Sequence, residues 1–296
     1  MNNSSEILEH ILKHSIQSPV PITYSFLAPN VKGLDGATSI LAQHPGAFTT
    51  ETNNNNDNPA STPSAPGPAT APSKPSFEIA VFAAATETFS QRNLNCSIAG
   101  SLERFRPVIA GAKAAGLRAR AYISVVLGCP FEGADVDPRR VASLATSLLE
   151  MGADEIALGD TTGTGTAPRT KELLSCLRAA GVRDEDLAVH LHDTYGQALV
   201  NAAVALEHGV RSFDCSVGGL GGCPYSPGAT GNVATEDVVY FLESLGMDTG
   251  VDLDAVADVG AWITGEIGKP NASSVGKAVL GARARAKQEG KGQKGA

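Results

Sequence analysis

The chain has 296 residues, 42% of them hydrophobic, and a formal net charge of -8. That length holds one large domain or two ordinary ones. The acidic balance argues against nucleic acid as a main partner, because phosphate recognition needs a basic face. No run of 18 or more apolar residues offers a membrane span, and five cysteines without paired spacing fit a reducing compartment.

Residues 1–20 contain Glu6 and Glu9 and no Arg, which matches neither a secretory signal nor an Arg-rich transit peptide. Residues 21–28 read as a strand and 31–43 as a helix. Residues 49–76 carry an Asn run and then a Pro/Ala/Ser/Thr run, a composition expected to be disordered. Regular alternation follows. Strands are expected at 77–85, 118–127, 155–160, 187–193 and 212–217, and helices at 101–115, 138–151, 168–180, 197–208 and 235–245. Most of these helices are followed by Gly, the usual stop. The final stretch, 281–296, is locally basic and reads as a flexible tail.

Six strand–helix units in alternation imply a parallel sheet in an α/β fold. Polar groups gather where strands end: Asp160 and Thr161, then His190 and His192, then Cys223. Chemistry at the C-terminal ends of parallel strands is the habit of the (β/α)8 barrel. A doubly wound sheet would show an early Gly-rich phosphate turn, and the Gly-rich stretch at 159–165 has neither a P-loop Lys nor dinucleotide spacing. The expected fold is therefore an incomplete (β/α)8 type with extra C-terminal helices, since six units cannot close eight strands. Residues 21–280 are read as this one domain.

Residues 216–232 hold one cysteine, Cys223, among glycines, prolines and small residues, and end in Asn232. So much Gly excludes a helix or strand interior and points to a loop that presents a thiol, as a catalytic lid would. His190 and His192 stand at i and i+2 behind Leu187-Ala188-Val189. Strand alternation puts both imidazoles on one face, half of a metal site. His208 lies in a helical pattern and reads as structural. Cys176 and Cys215 read as buried small hydrophobes, and Cys96 and Cys129 as packing residues.

These motifs resemble the hydroxymethylglutaryl-CoA lyases. The stretches that carry the likeness are Gly-Gly-Leu-Gly-Gly-Cys-Pro-Tyr at 218–225, Val-His-Leu-His-Asp-Thr-Tyr-Gly-Gln-Ala-Leu at 189–199 and Glu-Ile-Ala-Leu-Gly-Asp-Thr at 155–161. Leu-Gly-Cys-Pro-Phe-Glu-Gly at 127–133 and Asn-Leu-Asn-Cys-Ser at 93–97 are similar too. The resemblance implies cleavage of 3-hydroxy-3-methylglutaryl-CoA to acetyl-CoA and acetoacetate, as in leucine breakdown and ketone-body formation. It implies Cys223 as the catalytic thiol, and His190, His192 and Asn232 as ligands of a divalent cation, Mg2+ or Mn2+. Asp160 would orient a ligand or substrate group, or else cap the turn that follows it.

The family begins with a strand ending in Arg-Asp-Gly, whose Asp is a metal ligand and whose Arg contacts substrate. No Arg-Asp-Gly occurs in this chain, and residues 24–33 match the family's third strand. The expectation is a fold entered at that strand, with lyase turnover severely reduced or absent. Two other readings stay open on the residues: a catalytically dead or regulatory fragment of the fold, and a related synthase or aldolase of the same barrel group. The expected partner is a small acyl-CoA, with no nucleic acid and no membrane, and a homodimer is the candidate assembly. The resemblance implies the mitochondrial matrix, with the cytoplasm as the alternative.

Overall fold

The computed structural model describes residues 3–14, 18, 20–50, 73–222 and 231–292. The chain divides into two compact units, Met1–Ile123 with Ser143–Ala157, and Ser124–Ala142 with Leu158–Ala296.

The first unit opens with α1 (Ser4–Lys13), β1 (Thr23–Leu27) and α2 (Val31–Gln43). The α2 helix starts at Asn30, whose side chain accepts the Gly33 N–H at 3.1 Å. Then come β2 (Ser76–Ala84), α3 (Glu87–Leu94), α4 (Ile98–Ala114) and β3 (Arg118–Ser124). The β2 strand, Ser-Phe-Glu-Ile-Ala-Val-Phe-Ala-Ala, is buried almost throughout, as a parallel strand covered on both faces should be. It pairs in parallel with β1, Tyr24 opposite Phe77 and Phe26 opposite Ile79. The expected low-complexity segment lies outside the described residues over 51–72. The described residues on either side of it leave α2 and enter the N-terminal end of β2.

The α5 helix (Pro138–Glu150) and β4 (Glu155–Asp160) cross the boundary between the units. The second unit continues with α6 (Ala167–Ala179), β5 (Leu187–Leu191), α7 (Ala198–His208) and β6 (Ser212–Asp214). The α7 helix stops at Gly209, whose φ of 118° is open to glycine and costly for other residues. A 3-10 turn at Val217–Gly219 leads on to α8 (Thr235–Ser244), α9 (Leu253–Glu266) and α10 (Ser274–Gly292).

Among the described residues six strands stand in the order β1-β2-β3-β4-β5-β6, and β5 pairs with β6 in parallel. Strand order that follows chain order without reversal is the progression of a barrel, not of a doubly wound sheet. The fold is thus α/β of incomplete (β/α)8 type, as expected.

Four local readings are corrected. A helix absent from the expectation, α3, covers 87–94, where the residues are mostly polar and only Phe89 and Ser90 are buried. The third strand ends at Ser124 rather than 127, because Val125 takes φ 58°. That conformation costs a β-branched residue roughly 1–3 kcal/mol. It is held by the Val125 N–H donating to Thr161 Oγ1 at 2.9 Å and the Val126 N–H to the Gly159 carbonyl at 3.1 Å. The basic stretch expected to be a tail from 281 is helical as far as Gly292, with Arg283 paired to Asp258 at 2.7 Å. Finally, Cys176 and Cys215 are half-buried rather than buried.

Candidate metal site

Three strand exits of the second unit, those of β4, β5 and β6, carry its polar groups. At the end of β4, Asp160 is 1% exposed. Its Oδ2 accepts the Gly165 N–H at 2.9 Å, while Oδ1 has no hydrogen-bond partner. Burial pushes the carboxyl up to about 6, against the opposing pull of the Gly165, Gly163 and Thr164 amides and the Arg169 charge. Gly165 can be nothing larger, since a Cβ there would lie 2.5 Å from Leu127 Cδ1 and 2.6 Å from Asp160 Oδ2. From α7, Asn201 Nδ2 donates to the Gly165 carbonyl at 3.0 Å, and its Oδ1 is unpartnered and buried.

At the end of β5 the alternation works as strand geometry requires: the His190 and His192 rings lie 5.6 Å apart, centre to centre. Parallel register sets His190 opposite Asp214 of β6, and His190 Nδ1 lies 3.0 Å from Asp214 Oδ2. The carboxylate accepts, so Nδ1 carries the proton of this contact and the ring orientation is fixed. His192 is buried, and its Nδ1 has no partner. Burial first, and the neighbouring His190 second, bring its pKa down to about 4, which makes it a neutral imidazole at pH 7.

Asn232 reaches the same place from the far side of the loop in sequence. It forms an antiparallel bridge with His192, and the Val233 N–H donates to the Leu191 carbonyl at 3.0 Å. Its Nδ2 donates to the Leu220 carbonyl at 2.9 Å, which fixes the amide, and Oδ1 is buried without a partner.

His192 Nδ1 and Asn232 Oδ1, on two residues joined by a backbone bridge, are both buried polar atoms without a partner, which suits a polar ligand or cation and nothing apolar. Among the described residues no group of three His, Cys, Asp or Glu side chains could hold a metal ion. The donor set is two imidazoles and an amide oxygen, which fits a divalent ion, though weakly for want of a carboxylate.

The structure thus brings His190, His192 and Asn232 together. Asp160 turns into its own loop, joined to Gly165. Cys223 and the rest of 223–230, the centre of the expected lid, lie outside the described residues. Asp193, which follows the His pair, caps α7 by accepting the Ala198 N–H at 3.0 Å. His208 is structural as read, with Nδ1 3.3 Å from Asp184 Oδ1. Sequence reasoning missed Asp214 and Asn201. An acid inside the short strand Ser-Phe-Asp was the one signal for Asp214, and its pairing depends on register.

Comparison with known proteins places the chain in a family. Residues 69–263 match the family described as HMGL-like. The chain is 49% identical over 259 residues to the 3-hydroxy-3-isohexenylglutaryl-CoA/hydroxy-methylglutaryl-CoA lyase of Pseudomonas aeruginosa, covering 88% of this chain and 74% of that one. It is 54% identical over 209 residues to the hydroxymethylglutaryl-CoA lyase of Pseudomonas mevalonii, covering 70% and 68%. The crystal structure of hydroxymethylglutaryl-CoA lyase from Pseudomonas aeruginosa superposes with a TM-score of 0.77 at 45% identity, over 95% of this chain and 80% of that one. Other relatives are named as mitochondrial or cytoplasmic forms. A family match across most of the chain, with near-half identity to lyases and the same fold, means that the chain belongs to the HMGL-like family, in its hydroxymethylglutaryl-CoA lyase branch.

Proposed function

We propose that the chain is a carbon–carbon lyase that cleaves 3-hydroxy-3-methylglutaryl-CoA to acetyl-CoA and acetoacetate, with Mg2+ or Mn2+ at His190, His192 and Asn232. The observation that carries this reading is the pair of buried, unbonded acceptors His192 Nδ1 and Asn232 Oδ1 at the exit of β5. The family is metal-dependent, which supports the cation. When bound, a divalent ion supplies Lewis-acid polarisation of substrate oxygens.

The chain's own groups do the rest. Asp214 fixes the orientation of the His190 ring. Burial keeps His192 unprotonated, so its lone pair is available at neutral pH. Asp160 holds the β4–α6 loop through Gly165 and, with a carboxyl near 6, can hold or release a proton there. Cys223 is assigned as the proton donor to the acetyl-CoA enolate, a role open to a thiol with a reference pKa of about 8.5. The same kinship suggests the mitochondrial matrix as the compartment, with the cytoplasm as the alternative.

The test is acetoacetate release by the purified chain, with millimolar Mn2+ because the donor set lacks a carboxylate. Release that requires the cation and disappears in Cys223→Ser is expected, and the absent Arg-Asp-Gly strand should show as a reduced rate rather than as no release. No release at any cation concentration, or release unchanged in that variant, overturns the reading. The isohexenyl thioester belongs in the same assay, because one relative is named for both substrates.

A further inference from the structure

Glu236 is 0% exposed, yet it is a carboxylate, and the reading of the site above does not use it. It occupies the second position of α8, where the helix N-terminus favours negative charge. Both of its oxygens face a single backbone donor: Gly218 N–H lies 2.9 Å from Oε2 and 3.1 Å from Oε1. An acid buried this completely is costly unless something in the fold depends on it.

The surroundings are cut to fit that carboxylate. At Gly260 of α9 an added Cβ would sit 2.1 Å from Glu236 Oε1, so only glycine fits. At Gly276 of α10 it would sit 3.4 Å away, an ordinary contact. Gly218 itself has φ 65°, the left-handed region, and its carbonyl is taken by the Ala272 N–H at 2.9 Å. Its peptide groups are therefore gripped on both sides, by α8 and by the turn before α10.

Two residues beyond Gly218 is Leu220, whose carbonyl accepts Asn232 Nδ2. Asn232 is the amide whose Oδ1 is left buried and unbonded. We propose that Glu236 is a positioning residue: by gripping Gly218 N–H it sets the Gly218–Leu220 backbone, and Leu220 in turn fixes the Asn232 carboxamide with Oδ1 free to ligate. The grip is a matter of geometry alone; only its consequence for cation binding rests on the proposed function.

Glu236→Gln keeps the side-chain volume and removes the charge and one acceptor. The measurements are the Asn232 side-chain amide resonance in asparagine-labelled protein, the Mn2+ dissociation constant, and the melting temperature as a check on folding. In the variant the Asn232 resonance should shift and its amide protons exchange faster with solvent, and Mn2+ binding should weaken about tenfold or more, as loss of an orienting partner does. A folded Glu236→Gln protein with an unmoved Asn232 resonance overturns the proposal.

If Glu236→Gln does not fold, Gly260→Ala and Gly276→Ala replace it. The first drives a methyl against Oε1 and should move the Asn232 resonance, whereas the second should leave it in place. Equal responses from the two overturn the proposal. Should the parent chain bind no Mn2+, the cation reading of the site falls, and the Asn232 resonance still decides the grip.

Discussion

Two clusters of polar side chains are partnered in opposite ways. In the first unit, Asp154 accepts from Lys113 Nζ at 2.8 and 2.9 Å and from the Ala119 N–H at 2.8 Å, and Glu155 pairs with Arg120 at 2.9 Å. At the β4 and β5 exits of the second unit, Asp160 Oδ1, His192 Nδ1, Asn201 Oδ1 and Asn232 Oδ1 are buried with no partner. Charges that meet a partner stabilise the fold, though a half-exposed pair contributes little. Acceptors left without one cost stability and are kept where a ligand can complete them.

The contrast breaks most sharply if His192 can be removed without consequence. His192→Ala should weaken Mn2+ binding, measured by titration calorimetry, by more than the roughly 100-fold that loss of an outer partner can cost. The melting temperature should stay within a few degrees of the parent. Unchanged Mn2+ binding in the variant would show that the orphaned imidazole is no ligand.

Acidification of the metal-free protein is the next test. His192 has a folded pKa of about 4 against an ordinary 6.5, so the unfolded chain binds the extra proton between those values, and acidification across them removes stability. Asp160 runs the other way, folded at about 6 against an ordinary 3.8: here the folded chain binds the extra proton, and acidification returns stability. At about 1.36 kcal/mol per unit each contribution is on the order of 3 kcal/mol, and the two nearly cancel. Asp160→Asn removes one of them. Relative to the parent, its urea-unfolding stability in EDTA should fall by on the order of 3 kcal/mol between pH 6.5 and 4. Parallel pH profiles for the two proteins would contradict these assignments.

Asp214→Asn sharpens the comparison at one remove from the proposed cation. The amide oxygen can still accept from His190 Nδ1, but without charge, so Mn2+ affinity should drop only about tenfold, at the low end for such partners. A loss as large as that of His192→Ala would make Asp214 a ligand itself. The smallest effect on the site belongs to the other region. Asp154→Ala should cost about 1–2 kcal/mol in urea unfolding through the lost Lys113 and Ala119 bonds, and leave Mn2+ affinity unaltered. A shift in affinity would show that the satisfied charges also serve the site.

Much of this was legible in the residues. Gly209 and Gly181 after their helices marked the ends of α7 and α6 within a residue or so, because positive φ selects glycine. His190 and His192 share a face because strand period alone requires it. The end of β3 was not legible, since nothing local announces that Val125 takes a left-handed backbone held by Thr161. Nor was α3, whose polar residues give a weak helical pattern that packing at Phe89 completes.

The sequence by itself determined the alternating α/β order, the strand ends at which chemistry gathers, and the shared face of His190 and His192, because period and spacing are local properties of the chain; Asn232 entered only through the family resemblance. Only the tertiary structure decided the partners. The β5–β6 register gave His190 its Asp214, and the bridge to Asn232 joined residues forty apart in sequence. In sequence, nothing singles out Glu236 beyond its being an acid in a first helical turn. Packing of α8 against α9 and α10 buried it and set it on Gly218, since burial is a property of what surrounds a side chain and not of the side chain itself.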